Sequence, residues 1–308
     1  MGPYELVQAA AIARRYFIDG QSKVDIAKDF NLSRFKVARL IDACLEQGIV
    51  HIEIRLPAEL DAELSEALKQ AFRLQHALVI NTPGDSEPAL RRNLGRAAAD
   101  LITHLVTESD VLGIGWGRTL NEMADFLTGL PPCPVVQMTG VVGDVSSNSV
   151  ELVRRVTVAS GGQAYPIYAP LVVSDPGTAD ALRKEPALAQ AIERFETITV
   201  AAIAVGSWDP PNSQLYDSLS AGERDELRQA GVVGEICSTL LDANGEVVGD
   251  FGRRSIAVPS AQLREIPTTV VVAGGRSKAV AIRAVLDGGF ATALVTDSEV
   301  ARELLGRT

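Results

Sequence analysis

Apolar residues recur every three or four positions through the first 47 residues: Ile12, Tyr16 and Phe17, then Val24, Ile26, Ala27 and Phe30, then Val37, Leu40, Ile41 and Leu45. That spacing collects each set on one face of an α-helix. It predicts three short helices, over 5–19, 21–30 and 33–47. Gly20 suits a left-handed helix end, and Ser22 and Ser33 stand where a hydroxyl caps the helix that follows. Only Asn31 and Leu32 separate the second helix from the third, the tight turn of a helix-turn-helix. Residues 49–54 alternate apolar and polar, as a short strand or wing does, until Pro57 interrupts them. Leu60, Leu64, Leu68 and Phe72 then form one stripe, which predicts a connecting helix within 57–75.

Beyond residue 75 the rhythm changes. Apolar runs at 77–80, 111–114, 135–138, 198–205, 269–273 and 293–296 alternate with helical patterns. Strands separated by helices imply crossovers and a buried parallel sheet. Asn244-Gly245, between Leu240-Leu241 and Val247-Val248, is a hairpin signal and predicts one antiparallel addition. The expected fold is α/β: a small winged helix-turn-helix domain over 1–56 and a larger doubly wound, Rossmann-like domain over 57–308. The length of 308 residues agrees, since a typical domain has roughly 100–200.

Composition narrows the class. Hydrophobic residues make up 46% and charged residues 22%, as in an ordinary soluble globular protein. The net charge is −10; residues 1–56 carry eight Lys/Arg against seven acids, or +1, so the remainder holds −11. A polyanion such as DNA is therefore repelled by the large domain and tolerated only by the small one. Cys44, Cys133 and Cys237 lie far apart, which indicates neither a disulfide framework nor a zinc site and predicts buried thiols in a reducing cytoplasm. No apolar run approaches the roughly 20 residues of a membrane helix.

The third helix is the one that enters the major groove in a helix-turn-helix, and its first residues here are Ser33, Arg34, Phe35, Lys36 and Arg39. Arg34 is the first choice for a bidentate guanine contact, Lys36 for a phosphate, and Lys23 on the preceding helix for the DNA backbone. A small docking domain with a solvated basic face would show the same spacing. The tight turn, the two serine caps and the clustered cations favour DNA, read by at least a dimer.

Two glycine-rich junctions supply the second set of candidates. Gly113, Gly115 and Gly117 run off a strand into a helix beside Arg118 and Thr119, an arrangement in which backbone amides and a helix amino terminus attract an anion. The dinucleotide and nucleoside triphosphate fingerprints are both absent. At Gly274-Gly-Arg-Ser-Lys278 a lysine opens a helix just past a buried strand, where open α/β sheets bind ligands. A tight turn packing helix on sheet explains each glycine cluster equally well when taken alone.

Several motifs in order resemble the SorC family of sugar-responsive regulators: the amino-terminal helix-turn-helix, Leu112-Gly-Ile-Gly-Trp-Gly-Arg-Thr119, Ala169-Pro170, Gly231-Val-Val-Gly-Glu235, Val272-Ala-Gly-Gly-Arg-Ser-Lys278 with Ala281-Ile282, and Leu294-Val-Thr-Asp297. That family's effector domain is related to DeoR-type regulators and to sugar-phosphate isomerases. The resemblance implies a cytoplasmic tetramer, a dimer of dimers, whose affinity for double-stranded operator DNA responds to a small phosphorylated sugar or polyol, with no cofactor or metal. It implies that Gly117, Arg118 and Thr119, with Gly115 and Trp116 in the same loop, hold phosphate. Gly140 and Asn148 line the pocket, and Glu235 and Lys278 meet the ligand's other end. Many members have Asp where this chain has Glu235, which leaves the hydroxyl pattern of the ligand open, and a phosphate-free ligand stays open too. The alternative is an isomerase-like enzyme using Lys278 with Glu235 or Asp144 as acid and base. The DNA-binding segment argues against it, as does the lack of metal or triad spacing around His51, His76 and His104.

Overall fold

The computed structural model describes residues 2–51, 59–81, 84, 86–142 and 149–306. It divides into two compact units, Met1–Leu56 and Pro57–Thr308.

The first unit holds α1 (Pro3–Phe17), α2 (Lys23–Asp29) and α3 (Arg34–Glu46). Ala9, Ile12 and Ala13 of α1 pack on Ile26 and Ala27 of α2 and on Val37, Leu40, Ile41 and Cys44 of α3. Both expected caps form: the Ser22 hydroxyl accepts the Asp25 N–H and the Ser33 hydroxyl the Lys36 N–H, each at 3.2 Å. Asn31 turns the chain between α2 and α3 at φ 52°, a left-handed conformation that Asn tolerates. Gly20 also has positive φ, but α1 already ends at Phe17. Ile49 and Val50 pack on this core without forming a strand, and the rest of the expected wing, 52–54, lies outside the described residues.

The second unit runs α4 (Ala62–Ala71), β1 (His76–Ile80), α5 (Glu87–Leu105), β2 (Leu112–Ile114), α6 (Arg118–Phe126), β3 (Val135–Gln137), α7 (Ser149–Ser160), β4 (Ala164–Tyr165), α8 (Pro176–Arg183), α9 (Pro186–Glu193) and β5 (Val200–Ile203). It continues with β6 (Gly206–Trp208), β7 (Pro211–Asn212), α10 (Gln214–Ser218), α11 (Ala221–Gln229), β8 (Gly234–Ile236), β9 (Thr239–Leu241), α12 (Ser260–Glu265), β10 (Thr268–Val272), α13 (Ala279–Asp287), β11 (Ala293–Asp297) and α14 (Ser298–Leu304).

A seven-stranded parallel sheet in the order β1-β11-β10-β5-β2-β3-β4 forms the centre. Alternate side chains feed two cores, one on each face. Ala201, Ile203, Val271 and Leu294 enter the first, and Val200, Ala202, Val270, Val272, Ala293 and Val295 enter the second. Burial on both faces explains why these strands read as continuous apolar runs.

The helix expected within 57–75 forms as α4, while two other features differ from the expectation. Leu64 and Leu68 of α4 lie in the first core, the Asp61 N–H donates to the Val79 carbonyl, and the Val79 N–H donates to the Ser65 hydroxyl. The run over 198–205 splits, with β5 ending at Ile203 and β6 beginning at Gly206 in a separate sheet. That second sheet, antiparallel in the order β7-β6-β8-β9, is larger than the single hairpin predicted. At Asn244-Gly245 the chain does reverse: the Asp242 carboxylate accepts the N–H groups of Asn244 and Glu246, and Leu241 bridges Val247.

Candidate functional site

From β2 the chain builds outward through β3 and β4. From β5 it builds the other way, through β10 and β11. The order therefore reverses between β2 and β5, where loops leaving the carboxyl ends diverge and open a crevice. A cleft of about 620 Å³, including its mouth to solvent, lies there. Three adjacent strands supply its floor: Trp116–Thr119 follow β2, Ala204 and Val205 follow β5, and Gly274 and Lys278 follow β10. The antiparallel sheet closes it with Gly206, Asn212, Ser213 and Glu235, and the first turns of α5 add Glu87 and Arg91.

Gly117 caps α6 at φ 150°, and a Cβ there would lie 2.6 Å from the Ala204 Cβ, so only glycine lets the loop after β2 pass the one after β5. Gly117, Arg118 and Thr119, at the amino terminus of α6, line the cleft, where the first amides of a helix favour an anion. Arg118 donates to the Asn212 side-chain oxygen. The Asn212 amide donates in turn to Glu87 Oε1 at 3.4 Å, which also pairs with Arg91 at 2.6 Å. Positive charge from Arg91, Arg118 and Lys278 thus meets one carboxylate at the mouth and one within.

The inner carboxylate is Glu235, 3% exposed. Its Oε1 accepts from the Ser213 hydroxyl at 3.0 Å, while Oε2 is buried without a hydrogen-bond partner. Burial pushes its pKa up to about 7, against the opposing pull of the Ser213 hydrogen bond, of the nearby Ser238 backbone N–H and of Lys278. The Lys278 ammonium donates to the Val205 carbonyl at 2.7 Å. Lys278 is half-buried as a residue, but its charged end lies within the cleft, and burial together with Arg118 lowers its pKa to about 8. Asp297 steadies the loop that presents it. One carboxylate oxygen accepts the Gly275 N–H at 2.6 Å, while the other caps α14 through Glu299 and Val300.

Of the residues singled out from sequence, Trp116, Gly117, Arg118, Thr119, Glu235 and Lys278 line this one cleft. Gly115 lies behind it, its N–H bonded to the Ala202 carbonyl. Gly140 is elsewhere: a Cβ on it would come within 2.8 Å of the Ala169 and Pro170 carbonyls and the Leu171 nitrogen, so the glycine serves a close backbone approach. Asn148 and Asp144 lie outside the described residues. Glu87, Arg91, Asn212 and Ser213 escaped the sequence reading. Glu87 and Arg91 follow the carboxyl end of β1, but β1 is an edge strand of the sheet, so that position alone did not direct them to this cleft. Among the described residues no cluster of His, Cys, Asp and Glu suits a metal ion, and no helix is long and apolar enough to cross a membrane.

In the first unit Ser33, Arg34, Phe35, Lys36 and Arg39 are all exposed at the start of α3. The Ser33 hydroxyl is engaged in its cap. Lys23 is half-buried, with its ammonium 5.2 Å from the centre of the Tyr16 ring.

Comparison with known proteins agrees with this architecture. The model of the sugar-binding domain family Sugar-bind matches residues 57–306. The transcriptional regulator LsrR of Escherichia coli K12 is 30% identical over 309 residues, spanning 99% of this chain and 96% of LsrR. The transcriptional regulator YjhU of the same organism is 28% identical over 303 residues, spanning 94% and 92%. The crystal structure of the full-length sorbitol operon regulator SorC from Klebsiella pneumoniae superposes with a TM-score of 0.75 at 24% identity, over 99% of both chains. The chain belongs to the sugar-binding domain family, in one family with the transcriptional regulator LsrR.

Proposed function

We propose that this protein regulates a carbohydrate-catabolic operon, binding double-stranded operator DNA through the helix-turn-helix of α2 and α3 and responding to a phosphorylated sugar or polyol held in the cleft. The observation that carries this reading is the meeting of Arg91, Arg118 and Lys278 beside the α6 amino terminus, opposite a buried carboxylate with an unpaired oxygen. The cationic end suits a phosphate, received by the amides of Gly117–Thr119 and by Arg118. Glu235 Oε2 suits a ligand hydroxyl, because an unpaired buried acceptor gains a full hydrogen bond when the ligand supplies one. The two ends together select a molecule that is both phosphorylated and hydroxylated. The relatives' names as transcriptional regulators support the reading, and so does the net negative charge, which only the larger unit carries.

In this reading the protein is a cytoplasmic homotetramer, arranged as a dimer of dimers, and does not turn its ligand over. Ligand binding changes operator affinity only through a difference in affinity between two quaternary states. A coupling of about 1–3 kcal/mol alters operator affinity roughly 5- to 150-fold.

A thermal-shift screen against sugars, polyols and their phosphates identifies the ligand, since saturation at about 100 times Kd stabilises the folded state by about 2.7 kcal/mol. DNA binding with and without the hit then measures the coupling. Arg118→Ala is expected to lose both the shift and the DNA response while keeping ligand-free DNA binding. Equal operator affinity with and without every saturating ligand would overturn the coupling, and recovery of chemically altered ligand would overturn the non-catalytic assignment.

A further inference from the structure

Successive residues advance by about 100° around a helix. The buried residues of α3, Val37, Leu40, Ile41 and Cys44, mark its inward face. Phe35 and Arg39 stand on the opposite side one turn apart, with Arg34 and Lys36 on the two flanks. Asp42 follows on that outward face and bounds the cationic part on its carboxyl side. Phe35 is 80% exposed, a large apolar ring placed in the middle of three cations at the amino-terminal end of the helix.

An exposed phenylalanine forgoes the burial that stabilises its neighbours on α3. The surrounding cations disfavour an apolar protein partner and favour a polyanion. A DNA major groove offers one apolar group on its base edges, the C5-methyl of thymine, and amino-terminal residues of a reading helix are those that reach base edges. We infer that Phe35 reads a thymine methyl in each half-site of the operator, with Arg39 on the same face and Arg34 and Lys36 holding the flanking bases and phosphates. This rests on the DNA-binding reading above and names the base that the centre of the interface recognises.

The test begins with the full-length protein and a randomised duplex pool, from which bound sequences are enriched. Each dT of the enriched duplex is then replaced singly by dU, which removes the methyl and leaves every hydrogen-bonding group in place. The wild type is expected to bind about fourfold more weakly at one position per half-site, the effect of one buried methyl-sized group. Phe35→Ala should bind dT and dU duplexes equally, and Phe35→Leu should recover part of the discrimination. Phe35 lies outside the core, so the variants should melt like the wild type.

If a duplex is enriched but no uracil substitution changes wild-type affinity, or if Phe35→Ala still discriminates, this inference is overturned while the DNA-binding reading stands. If no duplex is enriched, both fall.

Discussion

Glu235 holds one carboxylate oxygen against Ser213 and the other against nothing, deep in a cleft it shares with Lys278. The unfolded chain loses this proton near the ordinary value of 4.5, whereas the folded protein keeps it up to about 7. Between those values the folded state binds more protons, so stability from this group falls as pH rises from about 4.5 to about 7 and stays low above. The loss is of order 3 kcal/mol at most. Glu235→Gln is therefore expected to raise Tm over wild type by a margin that widens from pH 5 to pH 8. A margin independent of pH would remove this account of the carboxylate. Arg118 and Lys278 were legible from sequence because each follows a glycine cluster just past a strand, whereas Glu235, inside β8, was marked only by the family motif Gly231-Val-Val-Gly-Glu235. Glu87, Arg91 and Asn212 were not legible, since their approach to the cleft depends on which strands are neighbours.

Close backbone approaches govern the elements around the site. A Cβ on Gly234 in β8 would lie 2.6 Å from the Ala281 Cβ and 3.0 Å from the Gly206 carbonyl. The antiparallel sheet therefore packs directly on α13, the helix whose amino-terminal end carries Lys278. Gly234→Ala is expected to destabilise by about 1–3 kcal/mol through overpacking, with partial recovery in the double variant carrying Ala281→Gly. Thermal melts of the three proteins check this, and a single variant as stable as wild type would contradict it. The same sheet shows where pattern reading stops. Its β8–β9 turn runs through Cys237 and Ser238, both at positive φ, so no Asn or Gly announced it. β4 is only two residues long and offers no period to detect.

Across the whole molecule, charge is divided by task. The first 56 residues carry +1 and the rest −11, so favourable contact with DNA phosphates is confined to the small unit. Lys36 is exposed on a flank of α3, and in the proposed DNA-binding mode it meets a phosphate. Lys36→Ala is expected to weaken binding about equally across DNA sequences and to flatten the dependence of log K on log salt by about 1 for each phosphate that is no longer neutralised. A change in sequence preference with an unchanged salt slope would assign Lys36 to base reading instead.

The helical period of 3.6 and the continuous apolar runs were enough to find α1 to α3 and six of the seven parallel strands, and glycine spacing marked the two junctions, because those features depend on local backbone chemistry and on which faces are buried. Sequence spacing also brought Trp116–Thr119 and Lys278 under suspicion, since each follows a strand. What only the tertiary structure decided is the strand order. The reversal between β2 and β5 makes neighbours of the loops at Gly117 and Ala204, and the antiparallel sheet folds Asn212, Ser213 and Glu235 over them. Pairing between strands distant in sequence is set by the packing of whole faces, a property that no local window contains.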